Sequence, residues 1–174
     1  MLRTALVYGS ISGLIVILGI LGGLAIGTHH ASSLLFGYAV MILALSAIFL
    51  GVRRYRDTEK GGVIKFLPAL LLGLAIAVVA GVMYCAVWEV YLAITGYHFM
   101  DQYVAAQIAG LKAHGVTGAA LAKQIAELDE MKVNYANPLF RVPMTFVEIF
   151  PVGVIIALIS AAVLRNPRVL PARA

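Results

Sequence analysis

Two carboxylates stand where carboxylates are rare. Glu89 closes an apolar run that begins after Lys65, and Glu148 lies inside the apolar stretch between Arg141 and Arg165. In hydrocarbon an ionised acid costs ~2.5–3.5 kcal/mol on insertion scales, so it needs a partner or a task. The polar residues placed to share such a site are Arg141, Tyr84 and Trp88. Glu148 is about 17 residues before Arg165, or ~26 Å of helix. Glu89 is about 24 residues after Lys65, or ~36 Å, so Glu148 is expected to be the deeper acid and Glu89 to reach the water interface. Tyr84, Trp88 and Tyr91 adjoin Glu89 as an interfacial aromatic belt would. Pro151 follows Glu148 closely, with Gly153 just beyond. Proline lacks an N–H and presses on the carbonyl of Val147, so a bend is expected beside the acid. Bent helices carrying carboxylates serve as proton and cation sites. The plainer expectation is that Arg141, a tyrosine hydroxyl or a freed backbone carbonyl holds Glu148.

Other chemistry is sparsely represented. His29, His30, His98 and His114 could be joined by Asp101, but no pair has the i, i+4 interval of a zinc helix, so no metal is expected. No nucleophile elbow, phosphate-binding loop or dinucleotide glycine pattern occurs, which points away from an enzyme and from a bound cofactor. The single cysteine, Cys85, sits within an apolar run and can form no intrachain disulfide.

The elements that would position the two acids follow from composition. The 174 residues are 62% hydrophobic and 12% charged, which a water-soluble domain of this size cannot accommodate. Four apolar runs, 5–26, 34–52, 67–94 and 142–164, have the length a bilayer demands. The first resembles a signal sequence in its Ala25-Ile26-Gly27 end, but its apolar run is about twice an ordinary signal core, so it is read as a retained anchor. Small residues recur every fourth position: Gly9 and Gly13, Gly19 and Gly23, Ala47 and Gly51, Ala69, Gly73, Ala77 and Gly81, then Gly153, Ala157 and Ala161. In lipid such seams favour close helix contact, within a bundle or in a homodimer.

Charge sets the expected topology. Of the 13 Lys and Arg residues, nine flank the runs on one side: Arg3, Arg53, Arg54, Arg56, Lys60, Lys65, Arg165, Arg168 and Arg173. The opposite side has Lys112, Lys123, Lys132 and Arg141, balanced by Asp101, Glu127, Asp129 and Glu130. Both termini are therefore expected inside, with 97–141 outside. The net charge of +5 comes from these flanking residues and forms no basic stripe with aromatics, so no nucleic-acid partner is expected. Within 97–141, Met100, Val104, Ile108 and Leu111, then Leu121, Ile125, Leu128 and Met131, mark two helices separated by His114-Gly115-Val116-Thr117-Gly118 and closed by Asn137-Pro138.

Several motifs carry a resemblance. Arg54-Tyr55-Arg56-Asp57, Gly61-Gly62-Val63-Ile64-Lys65-Phe66, Trp88-Glu89-Val90-Tyr91, Phe99-Met100-Asp101-Gln102-Tyr103, Asn137-Pro138-Leu139-Phe140-Arg141 and Thr145-Phe146-Val147-Glu148-Ile149-Phe150-Pro151-Val152-Gly153 occur in one order. That order resembles the bacterial membrane family known as domain of unknown function 4199, over nearly the whole chain. The resemblance implies a small bacterial inner-membrane protein of four helices and assigns no catalytic residue. The expectation is an all-α integral membrane four-helix bundle with an extracytoplasmic helical hairpin between the third and fourth spans. It would touch the lipid bilayer and a second copy or a membrane partner protein. The leading function is a non-enzymatic accessory or assembly role through helix contacts. The rival is a small transporter, or an ion- or lipid-binding protein, using Glu148 and Glu89.

Overall fold

Apolar runs this long must hydrogen-bond their own backbone once water is excluded, and the helix does so within one segment. The computed structural model describes residues 1–25 and 34–171, and every element among them is helical. His29, His30 and Arg173 lie outside the described residues. The helices are α1 (Leu2–Ala25), α2 (Leu34–Leu45), α3 (Ala47–Glu59), α4 (Phe66–Ile94), α5 (Phe99–Ala113), α6 (Gly118–Tyr135) and α7 (Pro138–Leu164). Four helical stretches are long and apolar enough to cross a membrane: Leu2–Gly19, Leu35–Glu59, Phe66–Ile94 and Pro138–Leu164.

The second stretch comprises α2 and α3, joined at Ser46, whose hydroxyl donates to the Ile42 carbonyl at 2.8 Å. The helix continues through the arginines to Glu59, because Arg and Glu are good helix formers. Asn137-Pro138 ends one helix and starts the next. The Asn137 side chain accepts the Leu139 N–H at 2.9 Å, and Pro138 takes the first helical position, where no N–H is needed.

The chain forms two compact units: Met1–Val87 with Phe146–Ala174, and Trp88–Thr145. In the first unit α4 meets α1, α3 and α7, and small residues at these contacts explain why. A methyl group added at Gly73 would lie 2.8 Å from the Ala157 Cβ, and one at Gly153 would lie 2.8 Å from the Ala77 Cβ. Thus α4 and α7 alternate glycine against alanine. On the α1 side, Gly9 meets Val79 and Gly13 meets Met83, so α1 is packed into this unit. Gly51 of α3 meets both Ile76 and Tyr8. Ser12 is buried and donates to the Ala44 carbonyl at 3.1 Å, tying α1 to α2. The outer surfaces of these helices stay apolar, with Leu43, Leu50, Leu71, Val82 and Ile155 all exposed. A water-facing surface would not be built this way, whereas a lipid-facing one is.

The second unit holds α5 and α6. Gly115 has φ +77° between them, and the two helices pack on each other. Lys132 on α6 meets the Asp101 carboxylate at 2.5 Å, and His98 lies 3.6 Å from the same group.

Candidate functional site: a clasped ion pair

The turn that leaves α4 is tight. Gly96 and Tyr97 both have positive φ, +64° and +60°, and the Tyr97 N–H reaches back to the Leu92 carbonyl at 2.8 Å. Glycine takes this conformation freely, while for tyrosine it costs on the order of 1–2 kcal/mol. The ring of Tyr97 covers the Arg141 guanidinium, 5.2 Å from its centre, and the ring of Tyr135 lies 5.7 Å away. A strained residue at the rim of a charged cluster marks a place that the surrounding structure over-determines.

Arg141, in the first turns of α7, is the centre of this cluster. Its Nε donates to Glu89 Oε1 at 2.6 Å and its Nη2 donates to Oε2 at 2.6 Å, a bidentate pair. Its Nη1 donates to the carbonyls of Tyr135 (2.9 Å) and Ala136 (3.3 Å). Those carbonyls belong to the end of α6, which leaves acceptors unsatisfied by its own backbone. The Arg141 side chain is 4% exposed and that of Glu89 is 29% exposed. Beside them, the Trp88 indole N–H donates to the Tyr135 hydroxyl at 2.8 Å, and its ring stands edge-on to Phe99 at 4.9 Å.

The structure thus brings together three of the residues expected in a polar site: Glu89, Arg141 and Trp88. Two expectations are corrected. Arg141 holds Glu89, not Glu148. Glu148 is seven residues further along the same helix, about 10 Å away, too far for the same side chain. Tyr84 and Trp88 are also not a lipid-facing belt. They are only 4% and 5% exposed, because α4 turns these rings into protein. Glu148 is exposed on α7, and among the described residues no side chain or backbone group hydrogen-bonds or ion-pairs with it. Helix α7 runs from Pro138 to Leu164 through Pro151, and Gly153 serves the contact with Ala77.

Sequence reasoning missed Tyr97, Tyr135 and a second clasp. Arg56 is fully buried. Its Nε donates to Asp57 at 2.6 Å, its Nη1 to the Val169 carbonyl at 2.9 Å and its Nη2 to the Leu170 carbonyl at 2.5 Å. The signal was present in the spacing: Ile48, Val52 and Arg56 recur every four residues, so the arginine shares the buried face of α3.

As chemistry, the Glu89–Arg141 cluster is a fastening. Both carboxylate oxygens accept from one guanidinium, and the Thr145 hydroxyl donates to the Arg141 backbone carbonyl at 2.9 Å. Comparison with curated proteins and with solved structures gives no match. One family model does match, over residues 7–166, and so includes the Glu89–Arg141 clasp and Arg56, though not the Val169 and Leu170 carbonyls that Arg56 holds. The chain belongs to the family described as protein of unknown function (DUF4199).

Proposed function

We propose that this is a multi-pass protein of a bacterial inner membrane that works without catalysis, as an accessory or assembly component acting through helix contacts. Both termini would face the cytoplasm and α5 and α6 would lie outside, as the positive flanking charge favours. One observation carries the reading. The cluster that most resembles a reactive centre consumes its own donors and acceptors internally, while the long helices leave apolar faces free. Capture of the tagged chain from membranes in mild detergent tests it. Recovery of a lone single copy, with no companion chain, would overturn it. Reporter tags after Asp57 and near Lys123 should report opposite compartments.

A second reading rests on Glu148, an acid on an apolar helix with no partner among the described residues. In that reading it binds a proton, a cation or a lipid headgroup for transport. Glu148→Gln should then abolish a proton- or cation-dependent phenotype while sparing expression.

A further inference from the structure

The two sides of α7 differ in kind. One side carries Gly153, Ala157, Ser160 and Ala161, all buried, and meets α4 through Ala77 and Gly73. The other carries Glu148, Pro151, Ile155, Leu158 and Ala162, all exposed. Those five positions are spaced three, four, three and four residues apart, the interval that keeps a seam facing a neighbouring helix. Glu148 is the sole polar side chain among them. It lies about 17 residues before Arg165, or ~26 Å, within the reach of a hydrocarbon core of roughly 30 Å. Among the described residues, those seen meeting the small-residue side of α7, Gly73, Ala77 and Ile48, carry no titratable group.

Resting on the helix-contact reading above, we propose that a second copy of this chain covers the seam, with the two Glu148 carboxyls meeting across a twofold axis. Copies inserted in one orientation place the same residue at the same depth, and an isologous contact sets a residue on the axis against itself. A carboxylic acid is its own complement. In the neutral form it carries one donor and one acceptor, so two of them satisfy each other through reciprocal hydrogen bonds. The rest of the seam is Pro151, Ile155, Leu158 and Ala162, so nothing else there competes for those bonds.

Disulfide trapping in native membranes tests this. Ile155→Cys and Leu158→Cys should each give an adduct of two chains on oxidation, detected by co-expressing two differently tagged copies. Ile149→Cys, on the buried side, should give none. Glu148→Gln should keep most of the adduct, because an amide also pairs with itself. Glu148→Lys should cut it by about tenfold, the order expected when an interhelical hydrogen-bonded contact is replaced by repulsion. If Glu148→Lys does not insert, the Ile155→Cys result with native Glu148 still decides. No two-chain adduct at either seam position overturns the proposal, and so does an adduct indifferent to Glu148→Lys in an inserted protein. A photo-crosslinker at position 155 separates the two levels. An adduct with a different membrane protein sinks the twofold contact and leaves the helix-contact reading standing, whereas no adduct of any kind sinks both.

Discussion

Replacing Glu89 by alanine removes both oxygens that hold the buried Arg141. Breaking a buried pair from one side costs about 3–5 kcal/mol when the survivor is fully enclosed. Here Arg141 keeps its contacts to the Tyr135 and Ala136 carbonyls, and Glu89 is 29% exposed in the intact protein. Solvent screening on the glutamate side lowers the expected loss to about 2–3 kcal/mol. Trp88 is the single tryptophan and is hydrogen-bonded within the same cluster, so its emission during detergent-driven unfolding reads the site directly. Glu89→Gln should lose less, since an amide oxygen still accepts one bond. The double variant Glu89→Ala with Arg141→Ala should be more stable than the sum of the single losses, with a coupling of at least ~1 kcal/mol. Exchanging the charges, Glu89→Arg with Arg141→Glu, should fail to restore stability, because a carboxylate at position 141 would face the two carbonyls that now accept from Nη1. A loss below about 0.5 kcal/mol for Glu89→Ala, or strict additivity in the double variant, would refute the clasp.

Other outcomes follow from the same geometry. Lys132 holds the Asp101 carboxyl below its ordinary range, first by hydrogen bonding and then by charge, and Asp101 in turn raises Lys132. The Asp101 contribution is present above the unfolded value of about 4 and is lost as pH falls through the lower folded one. The Lys132 contribution is present below about 10.4 and is lost as pH rises through the higher folded one. Amide exchange in α5 and α6, corrected for intrinsic rates, should therefore be slowest between these limits and quicken beyond either. Arg56→Met should free the backbone at Val169 and Leu170, seen as faster protease cleavage after Arg165 and Arg168 and a loss of about 2–4 kcal/mol. Gly73→Val should force α4 and α7 apart, since even a methyl group would lie 2.8 Å from Ala157, and should cost about 1–3 kcal/mol in unfolding by detergent titration.

The four long helices were legible because a bilayer leaves the chain one way to satisfy its backbone, and length and hydropathy then suffice. Glu89 and Arg141 were legible as residues but not as partners. They are 52 positions apart, and only the turn at Gly96-Tyr97 and the restart at Asn137-Pro138 bring them together. Tyr84 and Trp88 misled because aromatic residues near a span end fit an interface with lipid and an interface with protein equally well. What distinguishes the two is which neighbour packs there, and that is a property of tertiary structure. Arg56 was read through its charge, as one of a cytoplasmic cluster, although its four-residue spacing from Val52 already aligned it with a buried face.

The alternation of Gly73 with Ala157 and Ala77 with Gly153 also acts as a ruler. Sliding α7 by one repeat of four residues, ~6 Å, would set Ala77 against Ala157 in one direction and against Ile149 in the other. The first brings two methyl groups together where there is room for one, and the second drives a branched side chain into the same gap. The pair of helices therefore has a single vertical alignment. A change at the glycines would move the height of every group on α7, Glu148 included, without touching any of them.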